Sequence, residues 1–430
     1  MIKMLLGFAL ASFANLSIAA AQQATPAAVV PSVSLPIMLS QEDVPRPRPT
    51  NAPALLANNF VGSVASILRP KPAERVADQA PLASPQGTNV PIETMIGQML
   101  LLGFWGDDAG DSWPRTLATQ IRDGKVGGVL FLAHNVKSSS GVKSLTKLFQ
   151  NTGAAVAPFI SIDQEGGQVE RLNRRVGFAE IPSAWAMAQA GTVQKADAVY
   201  GDLARRLRAW GFNTNFGPVL DLNTNPSNPI IGRKNRAFSG RTEIAAKYAR
   251  TFVDVHRNAG VVTSVKHFPG HGSSQRDSHR GFTDVSATWQ PGELEPFRKL
   301  IDENRADMVM VGHLFLEQYE PRTARPVPAS LSPQVVQGLL RNQLGYDGVV
   351  ITDDLDMGAI RQHFSPDDTI LRAVRAGVDI LILSNSARPD VNLPDRVIAM
   401  LASAAAQDPA IRRNIERSYW RIMRLKQRLR

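Results

Sequence analysis

Eight times between residues 98 and 386 the chain repeats one pattern: a short apolar run ending in polar residues or glycine, then a longer amphipathic stretch. The runs are QMLLLGFWG (98–106), VGGVLFLAHN (126–135), PFISIDQEGG (158–167), FNTNFGPVLDLN (212–223), VVTSVKHFPGH (261–271), DMVMVGHLF (307–315), GVVITDDLDM (348–357) and VDILILSNS (378–386). Short apolar runs bounded by turn signals read as strands buried on both faces, as in parallel sheets. The stretches between them, such as AAKYARTFVDVHRNAG (245–260) and DTILRAVRAG (368–377), read as helices, the second closing on glycine as helix C-termini do. Eight such units make an α/β protein of the (β/α)8 barrel type, and residues 91–430 are long enough for one with loops. An open doubly wound sheet is the alternative, weakened because no G-x-G-x-x-G follows the first run.

The first ninety residues have another texture. Met1 to Lys3 give a short basic start, an apolar, small-residue stretch follows, and Ala19-Ala20-Ala21 before Gln22 fits a cleavage site. This is the pattern of a secretory signal peptide over residues 1–21, with an uncleaved anchor as the alternative. The expected location is periplasmic or secreted. Residues 22–90 carry 11 of the 29 prolines without sustained periodicity and read as a Pro/Ala-rich linker or extension. No later apolar run approaches the roughly 18 residues a membrane span needs.

The net charge of +10 raises the question of nucleic acid. Its location answers otherwise, because residues 411–430 alone hold eight Arg or Lys against one Glu. Ile415, Tyr419, Ile422, Met423 and Leu429 recur at near-helical spacing there, so one face should pack and the basic face should be a solvated surface. No aromatic-interleaved motif accompanies it, and weak adhesion to an anionic envelope is the partner it allows. The chain has no cysteine, which removes disulfides, thiolate metal sites and cysteine nucleophiles.

Reactive residues fall at the C-terminal ends of the runs: Asp163 after FISI, Asp221 after GPVL, Lys266 and His267 after VVTSV, His313 after MVMVG, and Asp353 after VVIT. In a barrel those ends converge on one mouth, where active sites are built. An Asp after a strand can also be only the N-cap of the next helix, and Asp221 is open to that reading. The stretch KHFPGHGSSQRDSH (266–279) adds three of the seven histidines on a Gly/Ser-rich segment that reads as a loop able to close over substrate. A metal-dependent hydrolase is one reading of so many histidines. No H-E-x-x-H occurs, and the first strand ends in FWGDDAG where an amidohydrolase-type site needs H-x-H, so no metal and no cofactor is expected.

Glycoside hydrolysis is the other reading. It needs a carboxylate on one side of the sugar and a proton donor on the other. Asp353 at a strand end is rigidly placed for the first role. His279, two residues after Asp277, suits the second, because imidazole titrates near neutrality and a neighbouring carboxylate orients it.

These residues carry a resemblance. KHFPGHG followed five residues later by DSH, with DQEGGQVERL (163–172), NPIIGRKNRAFSG (228–240), ITDDLDM (351–357) and the SYWRIMRLK ending, resembles the β-N-acetylglucosaminidase branch of glycoside hydrolase family 3 over residues 91–430. The resemblance implies a single catalytic barrel and a retaining double displacement through a covalent glycosyl-enzyme. It implies Asp353 as nucleophile, Asp277 and His279 as the acid/base dyad, Lys266 and His267 as ligands of sugar hydroxyls, and Asp163 as the carboxylate for hydroxyls far from the scissile bond. It places Arg171 and Arg236 along the donor-sugar pocket. His271 is expected to shape the loop, the glycines to let it move, and Ser278 to space the dyad. Neighbouring side chains on a strand point oppositely, so Asp353 and Asp354 cannot both face the mouth.

The substrate implied is a terminal β-linked N-acetylglucosamine on peptidoglycan fragments or chito-oligosaccharides, handled by a monomer. A phosphorylase and a non-catalytic envelope sugar-binding protein are the alternatives. Four features depart from the branch or from the wider family. The leader and linker differ from compact cytoplasmic members, and the chain is expected to lack the second, sandwich domain of β-glucosidase members. Gln168 stands where Arg is common, and three residues separate Gly232 from Arg236 where many relatives have fewer.

Overall fold

The computed structural model describes residues 90–323 and 325–429. The expected signal peptide and, apart from Val90, the expected linker lie outside the described residues.

All eight runs form strands, each inside the segment that the sequence marks out: β1 Leu100–Gly103, β2 Gly128–Phe131, β3 Phe159–Ile162, β4 Thr214–Asn215, β5 Val262–Phe268, β6 Met308–Val311, β7 Val349–Thr352 and β8 Leu381–Leu383. They pair in parallel in the order β7-β6-β5-β4-β3-β2-β1-β8. A parallel bridge between Ile351 and Ile380 joins the two ends of that order, so the sheet closes into a barrel. Every residue of the eight strands is buried, because helices cover the outer face while side chains fill the inside. The Thr242–Asn258 and Pro366–Ala376 helices confirm the amphipathic reading, the latter opened by Ser365 accepting from Asp368 N and closed by Gly377 in the left-handed region. Phe104, Phe131, Phe149 and Phe212 meet edge to face between β1, β2 and their helices, with ring centroids 4.9–6.2 Å apart.

Strand β4 is the irregular stave. It pairs for two residues with β3 and β5, passes the cis bond Gly217–Pro218, and regains β5 at the Val219–Lys266 bridge. Leu220 N–H also donates to Lys266 O at 2.7 Å. The next residue, Asp221, is thereby set beside the end of β5.

The C-terminal helix, Pro409–Lys426, packs by Ile415, Tyr419 and Ile422 as its spacing predicts. Its basic face is not a free cationic stripe. Arg421 bonds Asp347 and Asp379 (3.2 Å each), Arg424 bonds Asp347 (3.1 Å), and Arg428 bonds Asp307 (2.6 Å). Lys426 is buried, donating to Gln98 Oε1 (2.8 Å) and Gly127 O (2.7 Å). With no carboxylate at that spot, burial pulls its ammonium down to about 7. Arg421 and Lys426 turn against the barrel, while Arg412, Arg413, Arg417, Arg424 and Arg428 stay exposed, as the expected solvated face requires. No described helix is long and apolar enough to cross a membrane.

Candidate active site

The C-terminal ends of the strands surround a pocket of about 310 Å³, small among the ~300–1,000 Å³ of ligand sites. Leu130 of β2, Met310 of β6 and Ile382 of β8 supply apolar wall; Asp163, Glu165, Arg171, Arg236, Lys266, His267, His279 and Asp353 supply its chemistry.

One side of the pocket is a chain of buried charges. Lys266 Nζ donates to Asp163 Oδ1 at 2.8 Å and lies 2.6 Å from Glu165 Oε1. Arg236 grips Glu165 with two bonds, 2.9 and 2.8 Å, and Arg171 reaches the other oxygen of Asp163 at 3.1 Å. Burial alone would raise both carboxyls and lower the ammonium. The paired cations outweigh it and hold Asp163 and Glu165 below the ordinary carboxylate range, while the two carboxylates hold Lys266 above that of a lysine. All the charges here stay on.

Asp221 is not a helix cap. Its Oδ1 accepts the N–H groups of His267 (3.1 Å) and His271 (2.8 Å), and its Oδ2 accepts from His267 Nδ1 (2.7 Å). This leaves His267 Nε2 as an acceptor facing Arg236 Nη2 at 3.4 Å. One carboxylate thus fixes the tautomer and direction of an imidazole in the pocket wall.

The expectation of a pliant Gly/Ser loop needs correction. Residues 266–274 are buried throughout, and the exposed positions begin at Gln275. A Cβ on Gly272 would lie 1.7 Å from Leu222 O, so that glycine permits close backbone approach. Gly270 has φ +124, and a Cβ there would meet Glu293. The Glu293 carboxylate, buried beneath the loop, accepts from Gly272 N (3.1 Å) and Ser273 N (3.3 Å), and burial pushes it up to about 7. His271 lies between Ser274 Oγ (2.7 Å) and Ser278 Oγ (3.1 Å), and burial lowers it to about 4, so it is a neutral packing group. Ser278 anchors the loop through this bond.

Asp353 follows β7 and sits in the pocket wall. Burial would raise its carboxyl; the imidazoles of His313, His267 and His279 and the bond from Asp354 N (2.8 Å) prevail and hold it low. Asp354 also lines the pocket, but its Oδ1 accepts from Ser384 N (2.9 Å) and Asp356 N (3.1 Å), and burial pushes it up to about 6. The expectation that only one of the two faces the mouth is corrected, since both line the pocket; they differ in that Asp353 is held low and Asp354 is raised. His313 backs it from β6, donating through Nε2 to Asp354 O (2.9 Å) and accepting at Nδ1 from Ser330 Oγ (2.7 Å).

His279 also lines the pocket, and its Nδ1 bonds Asp277 Oδ1 at 2.7 Å. Asp277 also accepts His279 N–H (3.0 Å); these bonds outweigh burial and keep its carboxyl low. The His279 side chain is 54% exposed, unlike His267 at 8%. Among the described residues no group of His, Asp and Glu is arranged to hold a metal ion.

Of the eight residues marked from the sequence, seven line this pocket, and Asp277 supports His279 beside it. The sequence reading passed over Glu165 and Glu293 and left Asp221 undecided. Glu165 could have been found by its i+2 offset from Asp163, which puts both on one side of an extended segment.

A pocket of paired carboxylates, an ionised strand-end Asp and a His–Asp pair is equipped for proton transfer and nucleophilic attack on a polar substrate. The glycosyl hydrolase family 3 N-terminal domain matches residues 91–425. Among curated relatives, β-hexosaminidase A of Pseudoalteromonas piscicida is 32% identical over 393 residues, covering 83% of this chain. The chain spans only 63% of that relative's length. A β-hexosaminidase of Pseudomonas aeruginosa is 33% identical over 307 residues, 70% of this chain and 85% of the relative. The solved family 3 β-N-acetylglucosaminidase of a Paenibacillus species superposes with TM-score 0.71 at 35% identity, over 79% of this chain and 63% of that one. Motifs, barrel and relatives agree: the chain belongs to glycoside hydrolase family 3, in its β-hexosaminidase branch.

Proposed function

We propose that the chain is a retaining exo-β-N-acetylglucosaminidase that removes terminal β-linked N-acetylglucosamine from peptidoglycan fragments or chito-oligosaccharides. The observation that carries this reading is the placement of Asp353 and His279 on the wall of one pocket that also holds the Lys266–Asp163–Glu165–Arg236 chain. The charge chain offers fixed donors and acceptors to hydroxyls of the bound sugar. An Asp353 oxygen attacks the anomeric carbon while His279 gives its proton to the departing glycosidic oxygen, which leaves as an alcohol. Water then displaces the carboxylate, giving its proton to His279 and restoring both groups. Asp277 orients the ring through its bond to Nδ1. Export rests on residues 1–21 alone, and function as a monomer belongs to the same proposal.

Hydrolysis of 4-nitrophenyl N-acetyl-β-glucosaminide by the wild type, Asp353→Asn and His279→Ala, with and without EDTA, tests it. The expected result is activity indifferent to EDTA, about 10⁴-fold lower in Asp353→Asn and ~10²–10⁴-fold lower in His279→Ala. Cleavage of the β-glucoside in preference would overturn the sugar assignment. N-acetylglucosamine 1-phosphate formed in phosphate buffer would make the protein a phosphorylase, and a silent wild type would favour a sugar-binding role.

A further inference from the structure

Beside the catalytic pocket lies a second, more open cleft of about 350 Å³. Gln168 and Lys234 line both, so these two side chains stand on the ridge between them. Lys234 belongs to the segment between Gly232 and Arg236. That segment is a bonded turn rather than a loose insertion. Asn235 N–H donates to Gly232 O (3.0 Å), Trp185 N–H to Asn235 O (3.2 Å), and Arg236 N–H to Ile231 O (3.1 Å). Asn235 takes φ 55, a left-handed conformation that asparagine tolerates well. The turn therefore holds the base of Lys234 at a fixed place on the rim.

The other cations facing the pocket are committed: Lys266 and Arg236 to Glu165, Arg171 to Asp163. Lys234 has no ion-pair partner among the described residues, although its charge helps keep the Asp277 carboxyl low. Of the carboxylates in the neighbouring cleft, Glu180 is taken by Arg174 at 2.8 Å, and Glu170, whose Oε2 has no partner, makes no ion pair with Lys234. The general acid protonates the oxygen of the departing sugar, so that sugar must lie on the His279 side of the pocket. Lys234 lines the same pocket as His279 and stands on its rim. A half-buried ammonium on a long stem, anchored by a rigid turn and lacking a protein carboxylate, is suited to bond a carboxylate of the ligand.

We propose that Lys234 selects leaving-side sugars that carry a carboxylate. The inference rests on the glycosidase reading above and narrows its two substrate classes to the acidic one. The test compares two disaccharides with the same terminal N-acetylglucosamine, one β-1,4-linked to N-acetylmuramic acid and the other to N-acetylglucosamine. The acidic disaccharide with its lactyl group converted to the methyl amide isolates the charge. Removing a charge-assisted bond at a partly exposed site should lower kcat/KM for the acidic disaccharide about tenfold relative to the neutral one in Lys234→Met. The loss should fall mainly on KM, shrink in high salt, be absent with the amide, and be largely restored in Lys234→Arg.

An equal change on all three substrates would overturn the inference and leave the glycosidase reading intact, since Lys234 would then be structural. A wild-type enzyme inert on every disaccharide would instead overturn the reading and the inference with it. Phosphate-dependent formation of N-acetylglucosamine 1-phosphate that disappears in Lys234→Met would reassign the lysine to a phosphate acceptor.

Discussion

The two halves of residues 266–279 differ as sharply as any two regions of this protein. Residues 266–274 are buried, tied to Asp221 and Glu293, and feed Lys266 and His267 into a closed set of ion pairs. A few residues on, the His279 side chain stands half in solvent over a mostly buried Asp277, with Ser278 as a buried pin. The difference separates two tasks. Recognition of a sugar gains from donors and acceptors that are already oriented before it arrives. Proton transfer requires a group that meets the leaving oxygen in one step and water in the next, and an open position serves both.

If the comparison holds, substitutions among the buried partners of the first half should cost stability and those in the second half only activity. The largest effect is expected for Arg236→Met, which strips a bidentate partner from buried Glu165. Breaking a buried pair costs about 3–5 kcal/mol, readable by urea unfolding. A loss under 1 kcal/mol would mean that the chain of charges is not the frame it is taken for.

Glu293→Gln comes next and is a question of pH. The folded carboxyl titrates near 7 against 4.5 for an ordinary one, so between those values the folded state keeps a proton that the unfolded chain has released. Its contribution to stability is therefore present below the lower value and lost as pH rises through the upper one. Glutamine does not titrate, so the variant should gain about 1–3 kcal/mol on the wild type between the two ends of that window. Parallel stability curves would show that Glu293 does not govern the buried half.

The smallest effect on folding is expected for His279→Ala, within about 0.5 kcal/mol, even though the same change should remove most of the activity. A large drop in melting temperature would erase the distinction between the halves.

The barrel was readable because each strand combines β-branched or apolar residues with a polar stop, and eight repeats leave few architectures. The site was readable for the same reason, since strand ends converge whatever their spacing in the chain. Partners that the fold alone brings together were less accessible. Nothing near Asp221 in sequence announces that two histidines 46 and 50 positions later will bind it. Glycines misled in the opposite direction. A Gly/Ser-rich stretch is as consistent with backbone pressed against backbone, as at Gly272, as with mobility, and composition does not separate the two. The basic terminus shows a third limit, because helical spacing located its packed face while the carboxylates meeting Arg421, Arg424 and Arg428 lie between 42 and 121 residues away.

Lys426 reaches Gln98 and Gly127 from the last helix, and that helix packs along the Ile92–Met99 helix that precedes the first strand. The barrel is thus a hoop whose seam is fastened by the neighbourhood of its own two tips. A hoop has no privileged starting point. Residues 91–429 joined tip to tip by a short linker and reopened at an exposed bend, such as the one around Lys137–Ser138, should still assemble the same staves and the same mouth. In this protein the order of the strands around the ring matters more than which of them is made first.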